Sequence, residues 1–228
     1  MKRKVIDIST PISPFTEIIP GDQEPIIERI CTLENEGFVV SKLILGSHTG
    51  THVDAPSHVL STGIHVNKLE LDSLMGMAVI LDYSSLKGSL TADILEKTLQ
   101  NVEASEDISI LLLKTKNSSR KQKGTEDIGY QNKDSMKKEF GSTYLDASAA
   151  SWIVENKFKT VGIDGFSIDS FHSKILPAHR ILLSGNVNIV ECLELSLVET
   201  GIYFFLCLPL KIEDCDGAPA RALLISCS

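Results

Sequence analysis

The sequence lacks the features of membrane-spanning, disulfide-rich, zinc-ribbon, nucleic-acid-binding and membrane-docking proteins. Its longest apolar runs, residues 108–113 and 202–210, are too short to cross a bilayer. The five cysteines are an odd number without a Cys-x-x-Cys pair, which indicates reduced thiols rather than a disulfide framework or a zinc ribbon. A net charge of −8 argues against nucleic-acid binding and against docking on an anionic membrane, because both need a basic surface.

A secretion signal is also missing. The chain begins with basic residues, but Asp7, Pro11 and Pro14 interrupt any apolar segment that could follow them. The expectation is therefore a cytoplasmic protein. Its 228 residues, of which 43% are hydrophobic and 23% charged, fit a single globular domain over residues 1–228.

Short β-rich runs alternate with a few helical patterns, which predicts a mixed α/β (α+β) domain. Two of the runs, residues 77–81 and 108–113, are almost entirely apolar, as strands covered on both faces are. Three segments carry helical spacing with capping residues, namely Thr91, Asp146 and Pro177 at their starts and Gly185 at the end of the third. The predicted strands are residues 5–9, 25–31, 38–46, 77–83, 108–114, 160–164, 202–208 and 221–226, and the predicted helices are residues 91–100, 146–157 and 177–185.

One segment differs in charge from the rest of the chain. Residues 114–140 hold eight Lys/Arg and four Asp/Glu, so this stretch is basic within an acidic protein. A long segment of this kind is typical of a solvated surface loop, and a lid that closes over an anionic substrate is the alternative.

Residues 48–58 read HTGTHVDAPSH, which places three of the six histidines beside an aspartate. Gly50 and Pro56 block a continuous helix, and a predicted strand precedes the stretch, so we expect a shaped loop. Imidazole nitrogens and carboxylate oxygens are the usual ligands of zinc, manganese and iron. The stretch is therefore a candidate metal site, and a polar loop without a ligand is the simpler alternative.

A second group of candidate ligands lies in residues 177–195, PAHRILLSGNVNIVECLEL. His179 falls in the predicted helix, and Glu191 directly follows an apolar run, where a carboxylate is costly to bury unless it is paired or bound to a metal. Taken alone, His179 could simply be a helix residue and Glu191 a surface residue at a strand end.

The stretch HTGTHVDAPSH resembles the H-x-G-T-H-x-D-x-P-x-H signature of the cyclase family of metal-dependent hydrolases, which includes bacterial kynurenine formamidases. The similarity extends in order through residues 7–22, 161–169, 179–195 and 208–224. It implies a compact mixed α/β domain with a β-barrel-like core flanked by helices, and a homodimer or higher homo-oligomer.

The resemblance also implies roles for individual residues. His48, His52 and Asp54 correspond to metal ligands of the family, and His179 and Glu191 to those of its second metal-binding block. His58, the last histidine of the signature, corresponds to the proton donor and acceptor. The implied cofactor is one or two divalent metal ions, with zinc or manganese expected.

This set of residues predicts hydrolysis of a small molecule. A bound metal makes water acidic enough to supply hydroxide for attack on a carbonyl carbon, and His58 would pass the proton to the leaving group. The expected substrate is a small aromatic or carboxylated molecule with an amide of the formamide type, an imide or a lactone. Ile19 stands where kynurenine formamidases often have a tryptophan before PGD, which leaves the substrate open.

Other functions remain as alternatives or are disfavoured. A non-catalytic protein of the same fold that binds metal or a small ligand is one alternative, and a dehydratase or cyclase is another. The serine-hydrolase motif G-x-S-x-G is absent, no cysteine has a nucleophile signature, and DCDGAP at residues 214–219 lacks the glutamate of a calcium loop and is expected to be a turn.

Overall fold

The structure is a computed structural model that describes residues 4–102, 107–116 and 143–226. Within these ranges the chain forms twelve strands, four α-helices and three single-turn 3-10 helices. The strands are β1 (Lys4–Asp7), β2 (Ile26–Cys31), β3 (Val40–Ile44), β4 (His52–Asp54), β5 (Met75–Asp82), β6 (Gly88–Leu90), β7 (Ile108–Lys114), β8 (Thr143–Leu145), β9 (Thr160–Ile163), β10 (Asn188–Glu191), β11 (Gly201–Pro209) and β12 (Gly217–Ser226). The helices are α1 (Leu33–Glu36), α2 (Ala92–Leu99), α3 (Ala147–Glu155) and α4 (Pro177–Ser184), and the 3-10 turns are Pro56–His58, Val66–Lys68 and Leu71–Ser73.

Seven of the strands close into a barrel. Their order is β12, β11, β5, β7, β9, β10 and β4, and β4 pairs again with β12. Closure is possible because β12 is long enough to serve two neighbours on one edge: its residue Gly217 lies opposite Asp54 of β4, while Leu223 lies opposite Asp7 of β1. The predicted mixed α+β domain with a barrel core flanked by helices is confirmed.

The apolar runs of β5 and β7 are covered on both faces, as the sequence predicts. In β5, Ala78 and Ile80 join a core cluster with side chains from β4, β10, β11 and β12, which fills the barrel. Their neighbours Val79 and Leu81 join a second cluster with residues of α2, α3 and α4 outside it. Successive strand residues point to opposite faces, so a strand buried on both faces must be apolar at every position.

The three predicted helices and all eight predicted strands are present, and one cap differs. Asp146 caps α3 by accepting a hydrogen bond from the Ala149 amide at 2.9 Å. Thr91 precedes α2 but its side chain makes no capping bond; the amide of Ala92 instead donates to Ser148 Oγ at 3.1 Å. The capping oxygen therefore comes from α3, a long-range contact that local sequence does not encode.

The expectation of a loop throughout residues 48–58 is wrong in part, because His52–Asp54 form strand β4. Strand β10 was not predicted as a strand either. β4 has three residues and β10 has four. Both are too short for an alternation of apolar and polar side chains to identify them as strands in the sequence. Pairing with β12 and with each other makes them strands.

Two further sequence expectations concern the basic segment 114–140 and the possibility of a membrane span. Of the basic segment 114–140, the structure describes Lys114–Lys116, and the rest, with its expected role as a surface loop or lid, lies outside the described residues. No helix in the described ranges is long and apolar enough to cross a membrane.

Candidate metal centre and active site

The barrel closure brings the candidate ligands of the two sequence blocks together. β4 and β10 are antiparallel neighbours, with His52 directly opposite Glu191. Asp54 lies two residues beyond His52 and therefore on the same face of the strand. His48 precedes β4 and His179 lies in the first half of α4. All five residues predicted as metal ligands thus lie in one cluster.

The distances between their inner atoms are short. Asp54 Oδ1 lies 2.8 Å from His48 Nδ1 and 3.4 Å from His52 Nε2. Asp54 Oδ2 lies 3.3 Å from His179 Nε2. Glu191 completes the ring, with Oε2 at 3.4 Å from His52 Nε2 and Oε1 at 3.3 Å from His179 Nε2. The carboxylate of Asp54 is therefore the common member of the cluster.

The second ring nitrogen of each of these three histidines has a partner of its own. His52 Nδ1 donates to the carbonyl oxygen of Gly50 at 2.8 Å, and His179 Nδ1 to Asp169 Oδ2 at 2.7 Å. His48 Nε2 donates to Asp216 Oδ2 at 2.9 Å. When the outer nitrogen of a neutral imidazole carries the hydrogen, the inner nitrogen can present its lone pair to a metal ion, as in metal-binding histidines.

The buried inner atoms fit a divalent cation. In the part of the chain that the structure describes, His52 Nε2 and both carboxylate oxygens of Asp54 are buried without a hydrogen bond, although they lie close to one another. Buried carboxylates need a compensating positive charge. Two triads offer it a place, His48–His52–Asp54 and Asp54–His179–Glu191, each with its ligand atoms within 4.8 Å of one another. Such mixed nitrogen and oxygen ligands suit zinc or manganese.

The electrostatics of the cluster also favour a bound cation. Burial lowers the pKa of His52 and of His179, but the surrounding carboxylates outweigh it and raise the pKa of both imidazoles well above the usual value. Burial likewise raises the pKa of Asp54, but the three histidines lower it well below its usual range. The cluster therefore attracts positive charge, which a metal ion would supply in place of protons.

His58 lies beside this cluster rather than within it. It ends the 3-10 turn Pro56–His58, and its ring centroid is 4.2 Å from that of His48 and 5.6 Å from that of His179. Its Nδ1 lies 3.4 Å from Asp216 Oδ2, and its side chain is 26% exposed. A histidine near the ligands but open to solvent can exchange protons with a bound molecule.

Sequence reasoning missed two aspartates of the site. Asp169 accepts hydrogen bonds from the amides of Ala178 and His179, each at 3.0 Å, and thereby holds the start of α4 as well as the His179 ring. Burial raises the pKa of Asp169, but these bonds outweigh it and lower the pKa overall. Asp169 is part of the similar block 161–169, and only that block could have drawn attention to it.

The second missed aspartate, Asp216, lies in the DCDGAP stretch that was expected to be a turn. The expectation is right only for the start of the stretch, where Asp214 has a φ of 52°, because residues 217–219 belong to strand β12. The turn directs Asp216 toward His48 and His58. Burial raises the pKa of Asp216, but the His48 imidazole outweighs it and holds the pKa well below its usual range. The sequence gives no local signal for this role, because the partner His48 lies 168 residues earlier in the chain.

An open cavity of about 330 Å³ gives access to the site. His48, His58 and Asp216 are among its lining residues. The other lining residues are Ile18, Asp22, Gln23, Gly46, Ser47 and Thr49. Ile18 rather than Ile19 thus contributes the apolar wall, and Trp152 packs beside the core outside the barrel, with its ring 6.0 Å from that of Phe158.

Comparison with known proteins agrees with this architecture. Residues 6–170 match the family described as "Putative cyclase". A kynurenine formamidase from Bacillus mycoides is 33% identical over 220 residues, which cover 96% of each chain. Cyclase-like protein 1 from Arabidopsis thaliana is 33% identical over 97% of this chain and 85% of its own. A solved structure titled "The Structure Of Potential Metal-Dependent Hydrolase With Cyclase Activity" has a TM-score of 0.77 and 27% identity, with all of both chains covered.

Proposed function

The chain belongs to the cyclase family, and from that premise we propose that it is a metal-dependent hydrolase that cleaves a non-peptide C–N bond, of the formamide type, in a small molecule. One observation carries the proposal: buried nitrogen and oxygen ligands converge at the barrel closure, and His58 stands beside them on an open cavity. Kynurenine formamidases among the relatives support the amide as the bond that is cleaved.

The ligand set suggests one or two ions, zinc or manganese. His48, His52 and Asp54 would hold the first ion, and Asp54, His179 and Glu191 the second, with Asp54 shared. A divalent cation at such a site supplies Lewis acidity and makes water more acidic, lowering its pKa from ~15.7 towards ~7. Asp169 and the Gly50 carbonyl keep two of the imidazoles turned toward the ion.

His58 would move the proton of the reaction. Its ring lines the cavity, so it can accept a proton from the attacking water and donate it to the departing amine. Acceptance and donation require a group that is not committed to the metal. The 26% exposure of the His58 side chain and its place outside the two ligand triads support this assignment.

The cavity limits the substrate to a small molecule. A volume of about 330 Å³ is at the small end of ligand sites. Ile18 offers an apolar contact to an aromatic or aliphatic part of the substrate, while Ser47 and Thr49 offer hydroxyls. Formamides are the first candidates, and imides or lactones present the same kind of carbonyl carbon.

A metal-dependence assay with a substrate screen tests the proposal. Protein purified without chelator is analysed for metals and assayed against aryl formamides, imides and lactones, then again after chelation and metal return. We expect bound transition metal, turnover of at least one amide and recovery of activity on metal return. His52→Gln should lose metal and activity, whereas His172→Gln, an exposed histidine outside the cluster, should keep both. Metal-free protein with no affinity for zinc or manganese would refute the proposal.

We also propose a homo-oligomer in the cytoplasm. β2 and β3 form a separate two-stranded ribbon whose large apolar side chains are exposed, among them Ile26, Ile30 and Leu43 at 44%, 53% and 62%. Exposed apolar surface of this kind is typical of protein–protein interfaces. Most soluble oligomers consist of copies of one chain, so we take a second copy as the partner. Free thiols at all four described cysteines support a reducing compartment.

A further inference from the structure

Backbone hydrogen bonds join Asp216 and its neighbour Cys215 to the two ends of the segment that carries His58. The amide of Ala55 donates to the carbonyl oxygen of Asp216 at 2.9 Å, and the amide of Val66 donates to that of Cys215 at 2.9 Å. Ala55 directly precedes the 3-10 turn that ends at His58. Asp216 and His58 are therefore held in a fixed relation by contacts on both sides.

A single carboxylate oxygen of Asp216 faces two histidines. Oδ2 lies 2.9 Å from His48 Nε2 and 3.4 Å from His58 Nδ1. The other oxygen, Oδ1, lies 3.6 Å from the thiol sulfur of Cys215. The two imidazoles belong to different parts of the site, since His48 is in a ligand triad and His58 stands outside it.

A carboxylate in this place determines which ring nitrogen carries the hydrogen. A hydrogen held at His48 Nε2 by Asp216 would leave Nδ1, which lies 2.8 Å from Asp54 Oδ1, as the nitrogen that can bind a metal ion. On His58 the contact of Nδ1 with the same oxygen favours the hydrogen at Nδ1, which leaves Nε2 as the atom that can accept a proton. Outer carboxylates fix the tautomer and orientation of metal-bound and catalytic imidazoles in this way.

We propose that Asp216 is a positioning residue that fixes the tautomers of His48 and His58 together through one carboxylate oxygen. Metal affinity and proton transfer are thereby coupled, because the same group orients a ligand and the proton carrier. The expected effect on catalysis rests on the proposed hydrolase function, whereas the assignment of the two tautomers does not.

The rival interpretation makes Asp216 a metal ligand. His48, His58 and Asp216 form a third group whose ligand atoms lie within 4.8 Å of one another. The contact between His48 Nε2 and Asp216 Oδ2, however, meets hydrogen-bond geometry at 2.9 Å. The inner atoms of the two buried triads behave differently, since His52 Nε2 and the Asp54 oxygens approach their neighbours without a hydrogen bond.

Nitrogen-15 NMR of the histidine side chains in the zinc-loaded protein tests the inference without any substrate. The signals of His58 are assigned by their loss in His58→Gln. We expect the Nδ1–H tautomer of His58 in the wild type and a shift toward Nε2–H in Asp216→Asn. Asp214→Asn is the matched control, because it removes an exposed carboxylate from the same turn, and it should leave the tautomer unchanged. An Nε2–H tautomer of His58 in the wild type overturns the proposal even if Asp216→Asn does not fold.

Metal titration and kinetics supply the second readout. Asp216→Asn should weaken zinc binding by about 10–100-fold but keep the wild-type number of ions at saturation. The loss of one ion at saturation would instead make Asp216 a ligand and overturn the assignment. On any amide that the wild type cleaves, kcat should fall by about 10–100-fold with little change in KM. If the wild type cleaves none, the proposed hydrolase fails while the tautomer still decides the role of Asp216.

Discussion

The two ring nitrogens of a histidine in this site have different partners. In His52 and His179 the outer nitrogen is bonded to the Gly50 carbonyl or to Asp169, and the inner nitrogen faces the buried carboxylates. His58 Nδ1 lies 3.4 Å from Asp216 Oδ2, and the His58 side chain is 26% exposed. Function at the residue scale therefore depends on which nitrogen is already occupied.

Replacement of His58 by glutamine separates metal binding from catalysis. Because His58 lies outside the two buried ligand triads, we expect the purified His58→Gln protein to hold the wild-type amount of metal. If His58 is the proposed proton carrier, the kcat on a cleaved amide should fall by about 10²–10⁴-fold. Metal analysis and steady-state kinetics check both values. Full activity in this variant would remove His58 from the mechanism.

The cysteines should differ sharply in reactivity. Burial raises the pKa of the Cys207 thiol to about 12, so near pH 8 it carries almost no thiolate, which is the reactive form. Cys31 and Cys215 are partly exposed. Mass spectrometry after iodoacetamide treatment of the native protein should show label at Cys31 and Cys215 but not at Cys207. Label at Cys207 should appear only after denaturation; rapid native labelling would contradict its burial.

Among the elements, β12 has the largest influence on the site. Its first residue, Gly217, lies opposite Asp54 and next to Asp216. A Cβ atom at Gly217 would lie 2.9 Å from the carbonyl oxygen of Val53 and 3.0 Å from His48 Cε1. A glycine is needed at position 217 because the Val53 carbonyl and the His48 imidazole occupy the space that a side chain would fill.

We therefore expect Gly217→Ala to disturb the metal centre. Overpacking typically costs about 1–3 kcal/mol, and displacement of His48 should weaken zinc binding as well. Thermal unfolding and zinc titration measure the two effects. Gly46→Ala is the control, because its Cβ would be an ordinary 3.5 Å from Thr49 Oγ1. Equal zinc affinity in Gly217→Ala and the wild type would show that His48 can move aside.

In the molecule as a whole, candidate metal ligands lie on the strands that close the barrel. His52, Asp54 and Glu191 lie on β4 and β10, the strands that join β9 to β12. A metal that binds only the folded protein should raise its free energy of unfolding by about 2.7 kcal/mol at 100 times the dissociation constant. Calorimetry should show a higher Tm with zinc or manganese and a return to the lower Tm after chelation. Calcium should have little effect, since imidazole ligands suit transition metals.

The exposed ribbon of β2 and β3 predicts the behaviour of the protein in solution. Ile27 and Leu43 are a cross-strand pair, and both are exposed. Leu43→Lys should shift the mass measured by light scattering from the oligomer toward the monomer, because a buried lysine disfavours the interface. Lys42→Gln, a polar change one residue away, should leave the mass unchanged. A monomeric wild type would show that the ribbon has another purpose.

Much of this protein was predictable from short patterns. The near-continuous apolar runs predicted strands covered on both faces, Asp146 predicted the start of a helix, and the spacing in HTGTHVDAPSH together with the resemblance identified five candidate ligands and His58. These features are local, because strand periodicity, helix capping and residue type act over a few neighbouring positions.

Tertiary structure alone decided how distant residues complete the site. Strand character at His52–Asp54 comes from pairing with β10 and β12, not from its own sequence. Asp216 lies 168 residues from His48 and Asp169 lies ten from His179, yet each holds one nitrogen of its histidine. Such partners are set by barrel closure and by the turn before β12. A single sequence does not encode these distances locally, so only the fold could reveal them.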